Sequence, residues 1–217
     1  MGKIPIFTKE QQVILDEVNN NSYLCKEFYF TGDTALSHIY LNHRYSDDLD
    51  FFTSRRFDPQ TVITLLTEWS MRHKFTFISE FIEVVLRIQL SFGNNIVKLD
   101  FGYYPYKQLG KGTNYKNIII DSLLDIAVNK LQTITRRTEV KDFVDLYFLL
   151  QKFSLWDLRE GVKIKFNMDI EPLILGSDML LVDEFEHLPK MIEPLTIKQL
   201  KSFIREQAQK LGRQAVK

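Results

Sequence analysis

Ser46-Asp47-Asp48-Leu49-Asp50-Phe51-Phe52 combines closely spaced carboxylates with bulky apolar residues. The segment from Asp48 to residue 53 reads as a β-strand, and side chains on a strand point alternately to its two faces. We therefore expect Asp48 and Asp50 on one face, with Leu49 and Phe51 on the opposite face, in the core. Two carboxylates on one face repel each other unless a cation lies between them.

A third carboxylate occupies a similar setting in Val97-Lys98-Leu99-Asp100-Phe101. If this second strand lies beside the first, Asp48, Asp50 and Asp100 converge. Mg²⁺ and Mn²⁺ take hard oxygen ligands, and three such carboxylates suit two-metal displacement at phosphorus. The pattern predicts a divalent metal site, although an isolated Asp-x-Asp is also common at solvated strand ends.

A turn that suits phosphate precedes the acidic strand. Phe28-Tyr29-Phe30-Thr31 reads as a short strand that ends at Gly32, and a helix is predicted from about Thr34 to Leu41. A helix N-terminus after a tight turn presents free N–H groups and a positive dipole to an anion. The sequence therefore predicts a phosphate-binding turn and metal-binding carboxylates on consecutive elements.

The remaining periodicity indicates an α+β chain. Helices are predicted from Ile6 to Val18 and after Pro59, and a β-hairpin around the Gly93-Asn94-Asn95 turn. From Ser122 onward the chain reads as helical. We therefore predict a mixed sheet core with flanking helices over residues 1–121 and a helical bundle over residues 122–217.

Composition sets broad limits. Lys+Arg and Asp+Glu number 28 each, so net charge does not indicate a nucleic-acid-binding protein. The single cysteine, Cys25, cannot form an internal disulfide. No apolar run approaches 18 residues and the N-terminus lacks a signal peptide, so we expect a cytoplasmic protein that does not associate with membranes.

Several segments together resemble a known family. Residues 30–36 with residues 43–52 resemble the first motif of AbiEii/AbiGii-type nucleotidyltransferases, in the DNA polymerase β-like superfamily. Asp125-x4-Lys130 resembles the third motif, and residues 141–150 resemble the fourth. The resemblance covers roughly residues 28–150.

This resemblance implies a nucleotidyltransferase-type core and a metal-dependent enzyme. A nucleotidyl group would pass from a nucleoside triphosphate (ATP, GTP or CTP) to a hydroxyl on RNA, such as a tRNA 3′ end, or on protein. The family commonly supplies the toxin of a toxin–antitoxin or abortive-infection pair, which implies a cognate antitoxin. The implied catalytic residues are Asp48, Asp50, Asp100 and Lys130, and the implied substrate-binding residues are Gly32, Asp33, Thr34, Arg44, Ser46, Asp142 and Asp145.

Structural roles remain open for several of these residues. Lys130 could pair with triphosphate oxygens or be a solvated helix lysine. Asp142 and Asp145 could orient Lys130 or a substrate group, or could complement a helix dipole. Arg44 and Ser46 could contact phosphate or stabilise their own loop. A basic cluster of Arg136, Arg137 and Lys141 could meet RNA phosphate or form a solvated helix end.

One residue departs from the family pattern. Gly-Gly or Gly-Ser is usual where this chain has Gly32-Asp33, and a carboxylate there would repel a triphosphate. Asp33 could be a helix N-cap, could contact substrate through the metal ion, or could weaken the site. Two alternative functions follow: an impaired nucleotidyltransferase-fold binding module, or a transferase that modifies small molecules such as antibiotics.

Overall fold

The computed structural model describes residues 7–215, which form two compact units. The first unit contains residues 7–42, 46–106 and 111–121, and the second contains residues 43–45, 107–110 and 122–215. Segments 43–45 and 107–110 therefore belong to the second unit, whereas the predicted division at residue 121 placed them in the first. Ile6, the predicted start of the first helix, lies outside the described residues, as do residues 216–217.

The first unit is built on a mixed sheet that has seven strands within the described residues, in the order β3-β4-β5-β2-β1-β7-β6. Strands β2 and β5 pair in parallel, as do β1 and β7, and the other pairs are antiparallel. The strands are β1 (Tyr29–Thr31), β2 (Asp48–Thr53), β3 (Thr76–Ile82), β4 (Val85–Phe92), β5 (Asn95–Tyr103), β6 (Thr113–Tyr115) and β7 (Ile118–Ile120).

The predicted hairpin is confirmed as β4 and β5. Its turn needs Gly93, which has a positive φ of 61°, and pairs Phe92 with Asn95. Strands β3 and β6 were not predicted. In β3 most side chains are exposed, because it is the edge strand, so the alternation of apolar and polar residues that marks a half-buried strand is absent.

Several helices flank the sheet in the described part of the first unit. Helix α1 (Lys9–Asn20) starts from a capping box between Thr8 and Gln11, and α2 (Ser22–Glu27) follows it. Helix α3 (Gly32–Thr34) continues as a π-helix (Ala35–Leu41), and α4 (Pro59–His73) begins at the predicted proline. The predicted helix from Thr34 is therefore present, but it starts at Gly32 and is more loosely wound.

One face of the sheet forms the core of this unit. Leu49 and Phe51 of β2 are fully buried beside Leu99 and Phe101 of β5, and the rings of Phe51 and Phe101 stack at 5.3 Å. Val62, Leu66 and Trp69 of α4 are also buried. Because this face is filled with aliphatic and aromatic side chains, the polar residues of the same strands point to the other face.

The second unit is helical, as predicted. Its elements are α5 (Leu123–Ile134), α6 (Val140–Leu149), α7 (Leu155–Phe166), α8 (Pro172–Leu180), a 3₁₀ helix (Leu181–Glu184) and α9 (Ile197–Ala215). The side chains of Ser122 and Ser154 cap the N-termini of α5 and α7. Within residues 7–215, each helix is too short or too polar to cross a membrane.

Candidate active site

The two carboxylates of β2 lie on one face of the strand. Asp48 and Asp50 are half-buried, whereas Leu49 and Phe51 on the other face are fully buried. Gln11 of α1 fixes the segment before the strand, since its Nε2 donates to the carbonyl of Ser46 at 3.0 Å and to that of residue 47 at 3.1 Å. The alternation in the sequence thus appears directly as a two-faced strand.

Strand β5 brings a third carboxylate to the same face. It runs parallel to β2, with Asp50 opposite Asp100 and Asp48 opposite Lys98. Neighbouring strands are about 4.8 Å apart, so the three carboxylates occupy adjacent positions. Lys98 Nζ lies 3.9 Å from Asp48 Oδ1. The assignment of Asp48, Asp50 and Asp100 as metal ligands remains a prediction.

The electrostatic setting of Asp100 reflects this crowding. Burial raises the pKa of its carboxyl group above the ordinary value for aspartate, and the Asp48 carboxylate acts in the same direction. Arg87 on β4, which pairs with Asp100, and Lys98 lower it. At Asp100, burial and the neighbouring carboxylate thus outweigh the two cations.

Gly32 lies against the acidic strand. It follows β1 with a positive φ of 73°, and a Cβ atom built on it would lie 2.1 Å from Asp50 Oδ2. Any other residue would displace that carboxylate. The end of β1 is held by Thr31, whose hydroxyl donates to Asp121 Oδ2 at 3.0 Å, with both side chains buried. The predicted phosphate turn therefore sits beside Asp50.

Asp33 and Thr34 continue the turn as the first residues of α3. Thr31 occupies the N-cap position, so the interpretation of Asp33 as the cap is wrong: Asp33 lies inside the first turn, largely buried. Thr34 is fully buried, with its hydroxyl hydrogen-bonded to the Ser46 hydroxyl at 2.8 Å and to the Asp48 carbonyl. The Thr34 and Ser46 side chains thus tie the turn to the acidic strand, and their predicted substrate contacts stay untested.

A cleft of about 450 Å³ opens on this face of the first unit. It extends from the carboxylates toward the sheet edge at β3, and both Asp48 and Asp100 line it. The other lining residues come from β3, β4 and β5: Ile78, Ser79, Glu80, Arg87, Ile88, Gln89 and Lys98. Its volume lies in the range of small-molecule sites.

The second unit contains a buried charge cluster centred on Asp145. Arg44 binds this carboxylate with two hydrogen bonds, Nε to Oδ1 at 2.6 Å and Nη2 to Oδ2 at 2.7 Å. His43 Nε2 lies 2.7 Å from Oδ1, and Lys130 Nζ lies 2.6 Å from Oδ2 and 2.8 Å from Asp142 Oδ1. All five side chains are buried.

This cluster bears on the roles left open by the sequence. Lys130 is not a solvated helix lysine, because it is buried between Asp142 and Asp145. Burial alone would raise the pKa of Asp145, but Lys130, Arg44 and His43 together hold it well below its ordinary value. Asp145 therefore stays ionised at neutral pH, and substrate contacts of these residues remain predictions.

Local pairs also engage the basic cluster and Asp125 in this unit. Arg137 of the basic cluster binds Asp142 through Nε at 2.9 Å, and Lys141 lies 3.4 Å from Glu139, so these charges are balanced locally. Asp125, which follows the Ser122 cap, accepts hydrogen bonds from two backbone amides of segment 107–110 and from Lys165 Nζ at 2.7 Å.

Sequence reasoning missed Arg87 and its neighbours in the cleft. The signal was present in the hairpin, since a two-residue turn that pairs Phe92 with Asn95 also pairs Arg87 with Asp100. The alternation of β4 then puts Arg87 and Gln89 on the carboxylate face. Asp121 was missed because its role depends on a contact with Thr31, 90 residues away.

With this geometry established, the comparisons with known proteins become informative. A family model described as nucleotidyl transferase AbiEii toxin of type IV toxin–antitoxin systems matches residues 13–216. The chain belongs to this family. The AbiEii model extends beyond the motifs in residues 28–150 and includes almost the whole helical unit, so the suspected resemblance is confirmed, and the chain is a toxin-family nucleotidyltransferase.

Individual similar proteins match most of the chain. The uncharacterized protein aq_aa25 of Aquifex aeolicus (strain VF5) is 34% identical over 194 residues, which cover 86% of this chain and 88% of that protein. The crystal structure of JHP933 from Helicobacter pylori is similar, with a TM-score of 0.56 at 20% identity over 96% of this chain and 94% of that one.

The fold also resembles that of a protein described as a nucleotidyltransferase toxin. MenT4, the nucleotidyltransferase toxin Rv2826c of Mycobacterium tuberculosis H37Rv, gives a TM-score of 0.53 at 13% identity, over 92% of this chain and 82% of that chain. At such identities the likeness establishes the fold alone. The predicted α+β nucleotidyltransferase-type fold is thereby confirmed.

Proposed function

We propose that this protein transfers a nucleotidyl group from a nucleoside triphosphate to an acceptor hydroxyl, with Mg²⁺ or Mn²⁺ held by Asp48, Asp50 and Asp100. The observation that carries the proposal is the parallel register of β2 and β5, which sets Asp50 opposite Asp100 beside Gly32. The family assignment supports the same chemistry.

The residues present fit a divalent metal site. Three carboxylates on one face offer the hard oxygen ligands that Mg²⁺ and Mn²⁺ prefer, and at Asp100 burial and Asp48 outweigh the nearby cations Arg87 and Lys98. Bound divalent ions would neutralise the carboxylates and stabilise the negative charge that develops on the phosphoryl group.

The protein groups have separable tasks in this proposal. The turn at Gly32 leaves room for triphosphate oxygens to approach the backbone, because it has no side chain. Asp100 accepts the proton of the acceptor hydroxyl as the hydroxyl oxygen bonds to the α-phosphorus. The bond from the α-phosphorus to the bridging oxygen breaks, and pyrophosphate leaves. Asp48 and Asp50 would hold divalent ions, which would neutralise charge on the triphosphate.

The biological setting follows from the family. A toxin-like transferase would modify an acceptor hydroxyl on RNA, such as a tRNA 3′ end, or on protein, and a cognate antitoxin would restrain it. The comparisons supply the toxin class, and the acceptor and the antitoxin belong to the proposal.

Asp33 favours one competing function, an impaired module that binds partners without transferring nucleotides. Its carboxylate follows Gly32 directly, inside the first turn of α3 and largely buried. A carboxylate beside the phosphate turn repels a bound triphosphate unless a cation screens the two negative charges. The retained carboxylates at residues 48, 50 and 100 favour the enzyme.

The test is calorimetric binding of each nucleoside triphosphate with Mg²⁺ or Mn²⁺. Native protein is expected to bind at least one, and Asp48→Ala to lose at least about tenfold in affinity, roughly 1.4 kcal/mol. Asp47→Ala is the matched control, because Asp47 is the exposed neighbour on the preceding loop. Transfer of an α-³²P label to total RNA or protein then identifies the acceptor. Failure of native protein to bind any nucleotide would favour the binding module.

A further inference from the structure

The backbone that leads into the acidic strand is held by side chains from two helices. Three consecutive carbonyls, those of Ser46, Asp47 and Asp48, accept hydrogen bonds from such donors. Gln11 Nε2 donates to the first two, at 3.0 and 3.1 Å, and the Thr34 hydroxyl donates to the third. Residues 46 and 47 precede β2, so the ladder between β2 and β5 does not hold them. Their position therefore depends on the Gln11 amide.

Gln11 uses its whole amide in this arrangement. The side chain is buried, and its Oε1 accepts a hydrogen bond from Thr8 N at 2.9 Å, which completes the capping box of α1. An amide group has two N–H donors, and the carbonyls of residues 46 and 47 take both. The reverse orientation would set the amide oxygen against these two carbonyls. The start of α1 and the approach to Asp48 are thus joined through one buried side chain in one orientation.

Helix capping alone does not explain why this residue is glutamine. Glutamate completes a capping box equally well, and its negative charge also complements the positive end of the helix dipole. Glutamate at position 11 would, however, leave the carbonyls of residues 46 and 47 without donors. The amide therefore serves the segment before β2 as well as the helix.

We propose that Gln11 is a positioning residue for the divalent metal site, because it fixes the backbone before β2 and thereby the Asp48 carboxylate. The inference rests on the proposed function. The Asp48 and Asp100 carboxylates repel each other, and a mobile approach to the strand would let Asp48 move away. A fixed backbone keeps the two carboxylates together, and groups that orient metal ligands in this way raise metal affinity.

The experiment measures Mn²⁺ binding without nucleotide, from the loss of the electron paramagnetic resonance signal of the free ion. Native protein is compared with Gln11→Met, which keeps the length of the side chain but has no donor. A second variant, Gln11→Glu, keeps the acceptor for Thr8 N and loses the two donors at neutral pH. Asp48→Ala identifies the binding that belongs to this site.

The matched control is Thr8→Ala. This change removes the hydroxyl that accepts from Gln11 N at 3.1 Å, and it leaves Gln11 Nε2 on the carbonyls of residues 46 and 47. It therefore weakens the helix cap and spares the contact under test. Urea unfolding is recorded for every variant, so that a loss of metal affinity is compared with any loss of stability.

We expect the dissociation constant for Mn²⁺ to rise about tenfold in both Gln11 variants and to keep its native value in Thr8→Ala. Native affinity in Gln11→Glu would overturn the inference, because the side chain would then act through capping alone. Equal weakening in Thr8→Ala would also overturn it, because general loosening of α1 would suffice. Absence of Mn²⁺ binding by native protein is a separate outcome, which rejects the metal site of the proposed function and this inference with it.

Discussion

Gly32 and Asp50 are in direct steric contact across the candidate active site: a Cβ atom at Gly32 would lie 2.1 Å from Asp50 Oδ2. This contact links the turn that would hold phosphate to a carboxylate that would hold metal. The positive φ of 73° at Gly32 adds a second reason for glycine, since residues with a side chain are strained there.

A comparison of Gly32→Ala with Gly93→Ala should separate the clash with Asp50 from the strain of a positive φ. Gly93 also has a positive φ, 61°, but has open space where a Cβ would be. Both variants should lose about 1–2 kcal/mol of unfolding free energy from backbone strain. Only Gly32→Ala should lose nucleotide binding, at least about tenfold, because only it displaces a carboxylate. Urea unfolding and calorimetry measure the two quantities, and equal nucleotide affinity in both variants would contradict the assigned role of Asp50.

Asp33→Gly should reveal whether the extra carboxylate opposes the triphosphate. If it does, nucleotide affinity should rise at least about tenfold, roughly 1.4 kcal/mol, since a like charge is removed beside the phosphate turn. Asp33→Asn removes the charge but keeps the shape, so it should reproduce most of the gain. Titration calorimetry with Mg²⁺ gives both values. Weaker binding by both variants would instead indicate that Asp33 acts on the substrate through the cation.

Asp145→Asn should lower stability in a manner that depends on pH. The folded-state pKa of Asp145 is depressed, so its stabilisation is fully present above the unfolded value of about 3.9 and is lost as pH falls below it. We expect a loss of about 3–5 kcal/mol at pH 7, because Arg44 and Lys130 are left buried without their partner.

Urea unfolding at pH 7, 5 and 3.5 tests this prediction. The difference between native protein and Asp145→Asn should be constant at the two higher pH values and smaller at pH 3.5. Asp169→Asn, at an exposed ion pair with Arg159 and Lys163, is the control and should unfold near the native midpoint. A difference that does not change with pH would mean that the carboxylate charge is not what stabilises the cluster.

Lys165→Met should loosen the segment formed by residues 107–110. Lys165 is buried and pairs with Asp125, which accepts hydrogen bonds from the amides of Leu109 and Gly110. Removing the cation leaves a buried carboxylate uncompensated, at a cost of about 3–5 kcal/mol. Hydrogen exchange at the Leu109 and Gly110 amides should accelerate.

The matched control is Lys163→Met, on the same helix at an exposed pair with Asp169. Its exchange rates at Leu109 and Gly110 should equal those of native protein. Unchanged exchange in Lys165→Met would show that backbone contacts alone hold the segment.

Features that depend on residues close together in the sequence were predicted correctly. The helix that starts at Pro59, the strand of residues 48–53 and the hairpin around Gly93 depend on capping, alternation and turn chemistry within a few residues. The exposed edge strand β3 and the π-helical winding of residues 35–41 were missed, because neither leaves a distinct pattern in a window of that size.

Contacts between distant residues explain the remaining differences. Arg44 was predicted either to contact substrate phosphate or to stabilise its own loop, and its guanidinium binds Asp145, a partner 101 residues later that neither prediction included. The segment 43–45 likewise joins the helical unit, through backbone hydrogen bonds that include Ile192 N to the His43 carbonyl at 2.9 Å. Pairings of such range depend on the packing of whole elements.

The sequence alone determined that Asp48 and Asp50 share a face, because strand side chains alternate with a period of two whatever surrounds them. It also determined the family, through motifs whose order is read directly along the chain. Only the tertiary structure decided that β5 lies parallel to β2 with Asp100 opposite Asp50, and that Arg87 of β4 pairs with Asp100 on the other side. The choice of strand partner and register depends on burying Leu49, Phe51, Leu99 and Phe101 together, and that energy exists only when segments some 50 residues apart meet.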